Sequence, residues 1–284
     1  MMCKICGQRA KLLFSARILD RHVVGYFRCE RCGFIQTEEP FWLAEAYADA
    51  VSVFDVWAVS RPLGDALRVA RLIDQCWPDG TQTFLDFGGG TGILTRRMRD
   101  LGYPFLRSDA YSANLYARFF DDTDNPTSIH FPLITCFEIF EHLPNPRPEL
   151  ARLFKLTDTI FFSTNLVPPA VKTAGDWDYF APVHGQHVSF YTVAALQELA
   201  ASTCSRLLTN GANYHILTRA DLLLSQAQFE EIVSGRPASL MRRALQKAGH
   251  ALLRLARPSR LKPRDSLTFP DYGYVCRKQS RKSD

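Results

Sequence analysis

The segment that most restricts the fold is Phe84-Leu85-Asp86-Phe87-Gly88-Gly89-Gly90-Thr91-Gly92, followed at once by a run with helical apolar spacing over 93–101. A short apolar strand that breaks into glycines and resumes as a helix reads as the strand–turn–helix corner of an α/β layer. Gly88, Gly90 and Gly92 let the backbone turn sharply and let a ligand approach without meeting a side chain. Asp109 falls at the end of the next predicted strand, 21 residues after Gly88. A carboxylate there accepts both hydroxyls of a nucleoside ribose. The spacing D-x-G-x-G-x-G differs from the G-x-G-x-x-G of dinucleotide loops. Asp86 at its head suits an ammonium group better than a pyrophosphate.

Alternation continues on both sides of this corner. Helical spacing from Pro62 to Trp77 precedes it and stops at Pro78-Asp79-Gly80. Strands are expected at 84–87, 105–109, 133–137 and 159–164, and helices at 93–101, 148–156 and 192–202. Closing strands are expected at 207–217 and 272–277. This order predicts a parallel sheet with helices on both faces. The 284 residues, 46% apolar and 22% charged, exclude wholesale disorder and suffice for a large core without disulfides. No run reaches the ~18 apolar residues of a membrane span, and the first residues lack a signal-peptide core, so a soluble, cytoplasmic protein is expected.

Four of the eight cysteines form two matched pairs, Cys3-Lys-Ile-Cys6-Gly7 and Cys29-Glu-Arg-Cys32-Gly33, with 22 residues between them. A two-residue spacer lets both thiolates of a pair face one ion, and the glycine frees the knuckle turn. Four thiolates favour a structural, tetrahedral zinc, with a lone iron as the chemical rival. Such a closed ligand set holds structure and performs no chemistry. Cys76, Cys136, Cys204 and Cys276 sit in apolar stretches and are expected to be buried small hydrophobes. The chain thus divides into a zinc-ribbon-like head at 1–37, a linker at 38–60 with Phe41, Trp42, Tyr47 and Phe54, and an α/β domain at 61–284.

The sequence resembles the class I S-adenosylmethionine-dependent methyltransferases. Asp86 to Gly92 looks like their first motif and Ser108-Asp109 like their ribose-binding acid. Residues 133–144, ending Glu141-His142-Leu143-Pro144, resemble their fourth-strand segment. The likeness covers about residues 62–220. It implies a Rossmann-like, seven-stranded sheet with a final antiparallel hairpin. It also implies S-adenosyl-L-methionine held by Asp86, Gly88, Gly90, Gly92, Asp109, Phe137 and Glu138. The head, Gln36-Thr37-Glu38 and residues 185–191 further resemble a bacterial subgroup found among sugar and polysaccharide biosynthesis enzymes. A small, sugar-related acceptor is therefore expected.

Transfer to a hydroxyl needs alignment and a proton acceptor, a role that suits histidine. His142, with Glu141 beside it, follows the fourth strand of the domain; His184 and His187 lie in the long loop after the fifth. His184-x-x-His187 also has the spacing of a metal pair, but no third ligand is evident in the sequence. The aromatic loop around Trp177, Tyr179 and Phe180 serves either as a wall for a sugar ring or as core. An RNA acceptor is the rival reading, and a docking protein with a degenerate domain is a third. Against RNA, residues 241–284 carry a charge of +9 while 1–240 carry −4, so the body lacks a broad positive field. Within 235–264, residues 239–257 place Arg243, Lys247, His250, Arg254 and Arg257 on one helical face, a basic amphipathic insertion suited to peripheral contact with an anionic membrane.

Overall fold

The computed structural model describes residues 1–48, 55–124, 130–235 and 264–280. Phe54 and the basic segment 239–257 lie outside the described residues.

The expected α/β layer is present. Strands β4 (Phe84–Phe87), β5 (Phe105–Ser108), β6 (Ile134–Cys136) and β7 (Thr159–Ser163) run parallel, within one or two residues of the sequence expectation. β9 (Arg206–Thr209) and β10 (Tyr214–Thr218) close the sheet as an antiparallel hairpin, giving the order β5-β4-β6-β7-β10-β9. Every residue of β7 is buried, as a strand covered on both faces requires. Helices α2 (Ser60–Cys76) and α3 (Ile93–Asp100) flank the sheet with α4 (Pro146–Leu153), α5 (Val193–Ser202) and α6 (Gln226–Ser234). Phe161, Ile216 and Phe229 join α2's buried Ala66, Val69 and Ile73 in one core, and each such side chain stabilises the fold by roughly 1.5–3 kcal/mol. None of the helices described is long and apolar enough to cross a membrane.

Two expectations need correction. The sheet has six strands among the described residues, not seven. Beyond β5 there is only an isolated parallel bridge between Arg107 and Asp121. That edge of β5 is held by single contacts: Arg107 N–H donates to the Phe120 carbonyl at 2.8 Å, and its buried guanidinium donates to the Asp121 carboxylate at 2.7 Å and to the carbonyls of Gly90 and Ser112. Asn114 further engages the backbone of Ala117. The second correction concerns 272–277, which is helical within α7 (Thr268–Ser280). Its first-turn acid, Asp271, is buried and accepts from Arg99 at 2.7 and 2.5 Å, while Tyr274 packs on Phe120. The segment after α6 therefore leads into a helix rather than a last strand.

A second sheet joins the head to the domain. β1 (Ala10–Ile18), β2 (His22–Cys29) and β3 (Ile35–Thr37) are antiparallel, and β8 (Ser189–Phe190) adds to β3 through Ile35–Phe190 and Gln36–Ser189. Tyr26, Trp42, Phe180 and Phe190 are buried in the core beneath it. The short helix α1 (Leu43–Ala46) follows. Of the remaining cysteines, Cys136 is buried as expected, whereas Cys204 is exposed on a turn after α5 and is no core residue.

Candidate active site

A cleft of ≈ 1530 Å³ opens at the carboxyl ends of β4, β5 and β6, where the strand order reverses. That is the position where open α/β sheets bind ligands. Its size exceeds the ~300–1,000 Å³ of an ordinary small-molecule pocket, leaving room for two ligands side by side.

The glycine corner forms one wall. Gly88 has φ +71°, and a Cβ there would meet Ile139 at 2.1 Å, so only glycine lets the loop pass. Gly90 has φ +53° and faces open space. Its N–H donates to Asp109 at 2.9 Å, and the other Asp109 oxygen accepts from the N–H groups of Tyr111 and Ser112 at 2.8 and 2.7 Å. Asp109 thus ties the loop to the end of β5 while lining the cleft. Asp86 sits behind the loop, buried, accepting from Thr135 at 2.8 Å and Thr95 at 3.3 Å. Burial pushes its carboxyl up to about 7.

β6 delivers Phe137 and Glu138 to the opposite lip. Glu138 holds φ +53°, a costly conformation for a side-chain-bearing residue, and two bonds pin it. Its N–H donates to the Ser163 oxygen at 2.9 Å, and the Ser163 hydroxyl donates to its carboxylate at 2.6 Å. Phe137 stacks edge-on against Phe161 in the core.

The histidines converge. His142 ends the 3-10 turn Phe140–His142, and the loop after β7 folds back over it. That return is stitched by Val188 N–H to the Glu141 carbonyl at 2.8 Å, the Ser189 hydroxyl to the Leu143 carbonyl at 2.6 Å and the Tyr191 hydroxyl to the Phe140 carbonyl at 2.9 Å. As a result His142 and His187, 45 positions apart, stand with ring centroids 4.8 Å apart, and His184 lies 5.5 Å from His187. All three line the cleft. Burial lowers His142 well below the ordinary imidazole range, lowers His187 to about 4 and lowers His184 as well. Glu141 is fully buried beside them, its carboxyl pushed up to about 8 by burial and then by the neighbouring charge of Glu138.

Several cleft residues escaped the sequence reading. Tyr47 of the linker bonds His142 at 2.9 Å and stacks on Tyr111 at 4.7 Å. Arg61 at the start of α2 enters the cleft paired with Asp55 at 2.7 Å. The only signal in the sequence was the aromatic density of 38–60. In the aromatic loop, Phe180 is core, whereas Trp177 and Tyr179 also line the cleft.

Away from the cleft, the four head cysteines gather as expected. Cys3 and Cys32 sulfurs are 3.7 Å apart, and Cys6 and Cys29 sulfurs 3.4 Å apart, with all four within 4.8 Å of one another. Tetrahedral Zn–S bonds of ~2.3 Å give sulfur separations of about 3.8 Å, so the set fits such an ion. Both knuckles close alike, Gly7 N–H donating to the Cys3 carbonyl at 3.0 Å and Gly33 N–H to that of Cys29 at 3.1 Å. The Cys32 thiol holds Cys3 well below the usual thiol range.

No curated protein matches the chain. Solved structures resembling it include a methyltransferase of calicheamicin biosynthesis in an SAH-bound form (15% identity, covering 55% of this chain and 54% of that one, TM-score 0.37). Another is magnesium protoporphyrin IX methyltransferase from Synechocystis PCC 6803 with bound SAH (13% identity, 63% and 93% covered, TM-score 0.42). A third is 1,6-didemethyltoxoflavin-N1-methyltransferase from Burkholderia thailandensis (17% identity, 69% and 94% covered, TM-score 0.45). The chain spans about half the length of the first of these. A family model described as a methyltransferase domain matches residues 64–203, from α2 to just beyond α5. The matched stretch carries the glycine corner, Asp109 and the His142–His187 wall, so this part of the chain is similar to a methyltransferase domain.

Proposed function

We propose that the chain transfers a methyl group from S-adenosylmethionine to a hydroxyl of a small, polar, sugar-related acceptor. The observation that carries this reading is the pairing, across one cleft, of the Gly88–Gly90–Asp109 corner with the histidine cluster of His142, His184 and His187. The corner suits a nucleoside: Gly90 leaves open space for close approach, and Asp109 offers a carboxylate to a ribose. Asp86, behind the loop, suits the cofactor's ammonium, and Phe137 and Glu138 border the adenine side. The cleft's polar and aromatic far wall, with Tyr47, Trp177 and Tyr179, suits a ring bearing hydroxyls.

In the reaction the acceptor oxygen attacks the methyl carbon in line with the sulfonium. The O–CH3 bond forms as the S–CH3 bond breaks, and its electron pair returns to sulfur. The hydroxyl proton leaves at the histidine cluster. The protein's main contribution is alignment, with proton removal adding to it. In the head, four thiolates in two matched knuckles support a structural zinc that takes no part in the chemistry.

Incubation with methyl-labelled cofactor and a panel of nucleotide sugars tests this reading. Label in a sugar product, lost in His142→Ala while cofactor affinity is kept, is the expected result. Label appearing in RNA instead would overturn the acceptor class.

A further inference from the structure

We infer that Glu141, His142 and His187 form a second metal site, distinct from the four cysteines, which takes a divalent first-row transition ion at the acceptor end of the cleft. One ligand atom from each residue lies within 4.8 Å of the others. The His184–His187 spacing suggested a metal pair lacking a third ligand; the fold instead gives His187 two partners from the turn Phe140–His142.

Three observations point to a cation here. First, both Glu141 carboxyl oxygens are buried with no hydrogen bond of good geometry; the Tyr179 and Thr164 hydroxyls lie against the carboxyl and only partly favour its charged form. A buried carboxyl left so costs free energy that a bound cation would offset. Second, each imidazole is held from behind. His187 Nδ1 stands 2.6 Å from the Tyr179 carbonyl, which can only accept, so Nδ1 carries the proton and Nε2 the lone pair. His142 Nδ1 stands 2.9 Å from the Tyr47 hydroxyl, which can accept in the same way. Fixing the ligand tautomer through the other ring nitrogen is what outer-shell partners do in metal sites. Third, the set is open on one side: His142 and His187 line the cleft with Glu141 buried behind them, which leaves positions for an exogenous oxygen, unlike the closed cysteine cage. Two imidazoles with one carboxylate select a transition ion over magnesium or calcium.

The inference deepens the methyl-transfer reading and rests on it only for what the ion acts upon. An acceptor hydroxyl bound to the cation would lie in the same cleft as the glycine corner and become more acidic. Its proton would still leave at the histidine cluster, to water in the cleft, with the His142 and His187 imidazoles holding the ion.

Elemental analysis of the full chain, equilibrated with zinc and freed of unbound metal, tests the site. The expected result is two zinc ions per chain in the wild type and one in both His187→Ala and the isosteric Glu141→Gln. One ion in the wild type, or two retained in both variants, would overturn the inference. Calorimetry with S-adenosylmethionine on the same samples separates the two claims. A zinc count of two without cofactor binding removes the methyl-transfer reading and leaves the metal site standing.

Discussion

Asp86 places a carboxyl between the hydroxyls of Thr135 and Thr95, where it is almost wholly shielded from water. Its pKa rises from 3.8 to about 7, so the folded protein binds that proton more tightly than the unfolded chain. The stabilising contribution is full below about pH 4 and is lost as pH rises toward 7. Compared with Asp86→Asn, which does not titrate, the wild type should lose up to about 4 kcal/mol across that window. Urea denaturation at several pH values without cofactor measures this, and a pH-independent difference would contradict it. Gly88 and Gly90 separate fold from binding at the same corner. Gly88→Ala drives a Cβ into Ile139 and should cost stability. Gly90→Ala enters open cleft space, so it should cost only about 1 kcal/mol of stability. It should nevertheless weaken cofactor binding at least roughly tenfold, about 1.4 kcal/mol. Both glycines were legible because strand, turn and acid lie within nine consecutive residues. Tyr47 and Arg61 were not, because nothing local in 38–61 says which way a connecting segment folds back.

At the level of elements, the head does more than decorate the domain. The Cys29–Cys32 knuckle leads directly into β3, β3 pairs with β8, and β8 begins two residues after His187. The Thr192 hydroxyl donates to the Cys32 carbonyl at 2.5 Å, and Thr37 N–H donates to the Val188 carbonyl at 3.1 Å. Cys29→Ser should therefore lower stability by more than about 3 kcal/mol, since structural zinc contributes on the order of 10 kcal/mol to folding. It should also reduce hydrogen-exchange protection at 186–191; unchanged protection there would show that head and loop are independent. The matched knuckles were visible in the sequence through spacing alone. The meeting of His142 with His187 was not, since it depends on a strand pairing between the head and a loop beyond β7. The C-terminal helix was misread because Tyr272 and Tyr274 alternate like a strand. Its decisive contact is the distant pair of Asp271 with Arg99. Asp271→Ala, leaving that guanidinium without its carboxylate, should cost about 3 kcal/mol, read as a lower midpoint in thermal unfolding.

The whole molecule is two sheets sharing one cleft. The parallel sheet supplies the glycine-corner end through β4, β5 and β6, and the sheet of β1, β2, β3 and β8 fixes the loop that closes the histidine end. The excess positive charge read from the sequence lies after residue 240, mostly on residues outside those described. Strand order was legible as far as hydrophobic runs and turns reach. The single bridge that borders β5 among the described residues was not, since it depends on how residues 112–121 fold back against Arg107. The central claim is that the cleft binds S-adenosylmethionine through the glycine corner and Asp109. Calorimetric titration of the full chain with that cofactor tests it most directly. One cofactor should bind per chain, and Asp109→Ala should weaken binding roughly tenfold to a hundredfold, as expected for losing a charged hydrogen-bond partner. No binding to the wild type, or equal affinity in the folded variant, would contradict the account.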